Sequence, residues 1–120
     1  MPNRDVVEKW IEKYVHAWTT SARKDIEALF TKTAEYHERP YETDWIGRDE
    51  IVEGWQGRDE WQKNGWTFDW EILMITGDTA AVRGRGTYAE FGAFDNLWTL
   101  TFASNGRVGT FRMWNNAAEE

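Results

Sequence analysis

Near Gly57 the chain changes period, and that change narrows what it can fold into. Before it, apolar residues recur at helical spacing. Val7, Trp10, Ile11, Tyr14 and Trp18 form one stripe, with Glu8, Lys9, Glu12 and Lys13 on the wet side. Asn3 is placed to cap this helix, which is expected to run to about Trp18. Thr20 or Ser21 opens a shorter helix with Ile26, Leu29 and Phe30 on its buried edge. Gly47 opens a third, with Asp49 and Glu50 in its first turn and Ile51 and Trp55 one turn apart. After Gly57, branched and aromatic runs alternate between turn signals. Strands are predicted over 66–76, 79–89, 95–103 and 107–114, with turns at Gly77-Asp78 and Ser104-Asn105-Gly106 and a loose connection around Gly92. Residues 115–120 read as a frayed end. Helices first and an antiparallel meander after predict an α+β fold, and 120 residues suit one domain over 1–120.

Between the two halves lies a short strand that carries the most informative side chain. Over 34–38, alternation puts Ala34, Tyr36 and Glu38 on one face and Glu35, His37 and Arg39 on the other. A bend at Pro40 and a loop through Tyr41 and Trp45 follow. Ala34 and Tyr36 suit a core, so Glu38 is carried inward with them. A carboxylate in an apolar interior is costly unless it is paired, protonated or used. His37 faces outward, as a surface-bonded histidine does. Gly84 and Gly86 share the inner face of their strand with Ala80, Val82 and Tyr88. They either let the sheet curl or leave room for a ligand, and the two are compatible. Tyr14, Trp18, Trp55, Trp98 and Phe102 stand opposite, as core or as cavity wall. Arg83 and Arg85 fall on the outer face, solvated or at a subunit contact.

Charge and composition remove several functions. Fourteen basic side chains against twenty-one acidic ones give −7, a poor match to nucleic acid or to an anionic membrane surface. Cysteine is absent, so there is no thiol nucleophile and no cysteine metal site. The two histidines are far apart, and Gly84-x-Gly86 lies inside a strand, so no metal, phosphate loop or other cofactor is expected. No run has membrane-spanning length and the start has no apolar leader, so a cytoplasmic protein is expected. An aromatic share of 16% means either a bulky core or a ring-lined cavity, and in the second case the expected partner is a small apolar or aromatic molecule.

Several motifs together resemble a known family. They are Tyr14-Val15-x-Ala17, Ile26-x-Ala28-Leu29-Phe30, Gly47-x-x-x-Ile51-x-x-x-Trp55, Gly77-Asp78-x-Ala80 and Asn105-Gly106-Arg107-Val108, ahead of Phe111-Arg112-Met113-Trp114. Over nearly its whole length the chain is similar to the SnoaL-like and ketosteroid-isomerase-like branch of the nuclear transport factor 2-like superfamily. The resemblance implies a cone: a curved, mostly antiparallel sheet wrapped around three N-terminal helices, with an internal cavity and often a homodimer through the outer sheet face. Ketosteroid isomerases carry a tyrosine donor on the first helix, matched by Tyr14, and a general base at the end of the first strand, matched by Glu38. Their protonated aspartate falls on Trp98, which offers only an indole N–H. The implied cavity places Trp18, Tyr36, Trp55, Tyr88, Trp98, Phe111 and Met113 against the substrate. Limonene-epoxide hydrolases are also similar, but their triad would fall on Gly84, Gly86 and Met113, which cannot move a proton.

Three functions remain from this reading. The first is acid–base chemistry on a carbonyl compound (isomerase, dehydratase or cyclase), with Glu38 as base and Tyr14 as donor. The second is a non-catalytic small-molecule binding module, and the third a dimeric interaction domain. A salt bridge from Glu38 to Arg39, Arg112 or a helix lysine favours the last two.

Overall fold

The computed structural model describes residues 2–39, 42–58, 65–89 and 91–117. Helix α1 (Arg4–Thr20) begins where Asn3 Oδ1 accepts the Val6 N–H at 3.0 Å, and Ser21 closes it in a left-handed conformation at φ 54°. It runs two residues past the expected end. Helix α2 (Arg23–Glu27) starts at Ala22 without a side-chain cap, and its end differs from the expectation. Leu29 lies beyond the helix, and Phe30 opens strand β1 (Phe30–Arg39) instead of closing a helical face. Branched residues at Thr31 and Thr33 and the alternation from Ala34 onward favour the extended chain.

The 43–46 stretch, expected as loop, is strand β2 (Thr43–Ile46). It is only four residues long, and its edge position against β1 supplies the pairing that its own sequence does not announce. The bend expected at Pro40 and the loop at Tyr41 lie outside the described residues. Helix α3 (Arg48–Gln56) follows Gly47, whose φ of 95° is glycine's territory. Then come β3 (Trp66–Thr76), β4 (Thr79–Tyr88), β5 (Gly92–Phe102) and β6 (Val108–Ala117). Asn115, expected in a frayed end, is therefore a strand residue and is buried.

The six strands form one sheet in the order β2-β1-β6-β5-β4-β3. All neighbours are antiparallel except β1 and β6, which run parallel near the middle with Tyr36 opposite Phe111 and Glu38 opposite Met113. Register shifts interrupt β1–β6, β3–β4 and β5–β6, as in a sheet that curves. The α+β architecture agrees with the expectation. Val7, Ile11, Ile26, Leu29, Phe30, Ile51 and Val82, the core named from the sequence, are all fully buried.

Aromatic rings fill the space between α1 and the inner sheet face. Phe111 stacks on Tyr36 at 4.7 Å and Trp10 donates its indole N–H to the Leu29 carbonyl at 2.9 Å. Two glycines make the ring packing possible. A Cβ at Gly84 would stand 2.2 Å from the Phe68 ring, and one at Gly54 would stand 2.3 Å from the Trp45 ring. The space left by Gly84 is thus taken by Phe68, which stacks on Trp98 at 5.0 Å.

Candidate functional site

The first strand does what its alternation requires. Ala34, Tyr36 and Glu38 are buried, Glu35 and Arg39 are exposed, and Glu38 retains only 3% of its surface. His37 points outward between Asp44 (2.6 Å) and Glu35 (3.0 Å). Its neighbour Arg39 pairs with Asp44 and donates to the backbone carbonyl of Glu38 at 2.9 Å, not to its carboxylate. Arg112 sits opposite His37 on β6, on the face away from Glu38.

The partner of Glu38 is Arg58, a residue that sequence reasoning missed. Arg58 lies just past the end of α3 and reaches back to donate Nη1 to Glu38 Oε1 at 2.6 Å and Nη2 to Thr43 Oγ1 at 3.0 Å. Its guanidinium carbon also lies 4.8 Å from the centre of the Trp45 ring. Trp45 is fixed in turn between Gly54 and Tyr36, on which it stacks at 4.8 Å. Burial pulls the Arg58 proton affinity down, but the charge and hydrogen bond of Glu38 outweigh it and hold the group above its ordinary value.

Inward from this pair lies a narrow cavity of about 30 Å³. That is room for about one water molecule, far below the several hundred Å³ of a ligand pocket. Its walls include Tyr14, Trp18, Tyr36, Glu38, Tyr88 and Met113 from the expected set. Arg58, Trp66, Phe68, Asn96 and Asn115 complete it without having been anticipated. Trp55, Trp98 and Phe111 are buried behind this wall. Trp98 donates its indole N–H to Asn96 Oδ1 at 3.2 Å, and Asn96 donates in turn to Asn115 at 2.7 Å, so that N–H is already engaged.

The phenols lie together. Tyr14 and Tyr36 interact through their side-chain hydroxyls, and the Trp18 indole lies beside the Tyr88 hydroxyl. Burial pushes Tyr14 and Tyr36 well above the ordinary tyrosine value and Tyr88 up to about 12. All three are hydrogen-bond donors at neutral pH.

Larger concavities lie on the outer sheet face, away from these groups. One of about 650 Å³ is lined by Asp69, Glu71, Arg83, Arg85 and Asp95. Four of these five charges are already paired with one another, Arg83 with Glu71 at 2.7 Å and Arg85 with Asp95 at 3.0 Å. Buried polar groups and aromatic walls, not volume, single out the inner cavity. Among the described residues no cluster of metal-binding side chains occurs, and no helix is long and apolar enough to cross a membrane.

The family profile described as a SnoaL-like domain matches residues 11–115. Among solved structures, a protein of unknown function with a cystatin-like fold from Methylobium petroleophilum PM1 is similar at TM-score 0.78 and 17% identity, covering 98% of this chain and 80% of that one. A ketosteroid isomerase-like protein from Erwinia carotovora atroseptica is similar at TM-score 0.68 and 18% identity, covering 95% and 96%. An NTF-2 like protein of unknown function from Burkholderia xenovorans LB400 is similar at TM-score 0.76 and 11% identity, covering 97% and 87%. At such identities the likeness is one of fold. No curated protein matches the chain.

Proposed function

The chain belongs to the SnoaL-like domain family, and from that premise we propose that it is a small-molecule pocket protein. Its cleft takes one small, largely apolar or aromatic molecule between α1 and the inner sheet face, with Glu38 and Arg58 as the polar end. The observation that carries this is the Glu38–Arg58 pair, its carboxylate buried and its guanidinium half-buried, set among aromatic rings. A core built only for stability gains little from such a pair, because desolvation of two charges offsets most of their attraction.

The pair also weighs between binding and chemistry. One oxygen of this carboxylate is already held at 2.6 Å by a guanidinium and is not free to approach a substrate C–H. This favours binding over general-base catalysis. The second reading, an acid–base enzyme acting on a carbonyl compound, is supported by the Tyr14–Tyr36 phenols close to Glu38, donors suited to a developing oxyanion. Trp98, with its N–H bound to Asn96, adds nothing to that hole.

One experiment separates the two. Small aromatic ketones are titrated against tryptophan fluorescence, and exchange of their α-protons with deuterated solvent is followed in the same samples. Binding without exchange, with Glu38→Gln changing affinity only modestly, supports the module. Exchange abolished by Glu38→Gln and weakened by Tyr14→Phe supports the enzyme. Absence of both saturable binding and exchange with any ketone removes the enzyme reading and restricts the module to ligands other than neutral ketones.

The third element of this proposal is a homodimer through the outer sheet face. Leu97 and Trp114 are cross-strand neighbours there, each 41% exposed, with Arg83 beside Leu97 on the other side. An apolar centre rimmed by both signs of charge is self-complementary under a two-fold axis.

A further inference from the structure

We infer that the cleft is built for an organic cation, an ammonium or guanidinium group on a small apolar or aromatic body, and that Arg58 occupies that cation's place. The inference rests on the reading of this cleft as a small-molecule site and specifies what kind of molecule enters. Space and charge lead to it separately.

The space argument begins from the 30 Å³ cavity, which admits no organic ligand while Arg58 is in position. Of the side chains around it, Arg58 is the one best placed to leave. Its side chain is 27% exposed, against 4% for Glu38, and it extends from the turn after α3 instead of from a strand or helix interior. Among the described residues its side chain is held by other side chains: Glu38, Thr43 and Trp45. Trp18, Tyr36 and Tyr14, by contrast, are packed into the ring cluster at centroid distances of 4.4 to 5.2 Å. A rotation about the Arg58 side chain opens the cleft with the backbone in place.

The charge argument begins from the same movement. Glu38 and Arg58 are the charged groups among the described residues lining the cavity. Once Arg58 has left, the cleft holds one uncompensated carboxylate on strand β1, with aromatic rings in its walls and the Trp45 face that the guanidinium covered. An apolar molecule entering there strands that carboxylate, and an anion is repelled by it. A cation restores the pair that Arg58 made and gains contact with Trp45, the ring on which Arg58 lay. Arg58 is thus an internal ligand that holds the site closed until a better-packed cation displaces it.

The test uses three probes of nearly one shape: 2-phenylethylammonium, 2-phenylethanol and 3-phenylpropanoate. Affinities for the wild-type chain and for Arg58→Ala are measured by calorimetry. Removing the competing guanidinium is expected to tighten 2-phenylethylammonium roughly tenfold or more and to make it the preferred probe. Adding Glu38→Gln to Arg58→Ala is expected to abolish the preference while the alcohol still binds. Should Arg58→Ala be unfolded by itself, the same preference is read from which probe refolds it, and recovery with the ammonium but not the alcohol is the expected result. Equal binding or equal refolding by alcohol and ammonium, or a preference for the propanoate, overturns the cation inference and leaves the pocket reading standing. No binding or refolding by any of the three overturns both.

Discussion

The backbone of Gly84 forms one side of a slot that holds the ring of Phe68, so close that a Cβ at Gly84 would stand 2.2 Å from the ring carbon Cζ. Gly84→Ala is therefore expected to destabilise the fold by about 1–3 kcal/mol, although alanine suits an ordinary strand better than glycine. Chemical denaturation measures it. Phe68→Leu in the same chain should recover part of the loss, and an additive double variant would show that the two positions do not share the slot.

Gly54 makes the same case in a helix. Alanine raises helix propensity by about 1 kcal/mol at an unconstrained site, but here its methyl group would meet the Trp45 ring at 2.3 Å. Gly54→Ala should lower stability and displace Trp45 from both Tyr36 and Arg58, seen as a change in tryptophan fluorescence. An alanine that stabilises the protein would contradict this packing.

The Glu38–Arg58 pair is asymmetric in what its loss should cost. Arg58→Ala leaves a carboxylate buried without its counter-charge, and about 2 kcal/mol is expected after allowance for the partial exposure of the arginine. Glu38→Gln together with Arg58→Ala should cost less than Arg58→Ala alone. A double variant at least as unstable as the single one would mean that the buried charge is not the source of the loss.

Alkaline titration reads the phenols. The unfolded reference value is 10.0, and burial raises Tyr88 to about 12 with Tyr14 and Tyr36 also raised. The folded state holds these groups protonated, so their contribution to stability is complete below pH 10 and lost as pH rises from 10 toward 12. Phenolate absorbance at pH 10 should therefore be well below that of four free tyrosines, with the remainder appearing together on unfolding. Full ionisation near pH 10 in the folded protein would show these hydroxyls to be solvated.

For the outer sheet face, Leu97→Glu with Trp114→Glu should convert a dimer to a monomer in sedimentation at micromolar concentration, without changing the far-ultraviolet spectrum. A wild-type chain that already sediments as a monomer would remove the proposed contact.

The elements most legible in the sequence were those whose pattern is local. The Trp66–Thr76 strand and the Gly77-Asp78 turn are written in alternation and turn chemistry, and Asn3 caps α1 as its position predicts. The inward face of Glu38 was legible for the same reason. Arg58 was not, because it sits among polar residues after Gly57 and looks solvated, while its partner lies twenty residues earlier. Two signals pointed toward it. A buried carboxylate demands a cation, though Arg39 and Arg112 seemed the nearer choices and both face outward. Glycine inside α3, a poor helix residue, marked the place where the Trp45 ring comes close. The ligand-space reading of Gly84 failed because a neighbouring strand supplied a ring to fill the gap, which no single-strand pattern reveals.

The parallel seam between β1 and β6 also has a consequence for how the chain is made. β3, β4 and β5 can pair through short turns as they emerge from the ribosome, whereas the β1–β2 pair can join them only through the last strand. Until Phe111 arrives, Tyr14 lacks its stacked neighbour and Tyr36 is stacked on Trp45 alone. Joining that seam is therefore expected to be the late, slow step of folding. In the interval before it, the half-sheet that carries Glu38 stands with an open edge, and a nascent chain stalled there is at its most exposed to pairing with another.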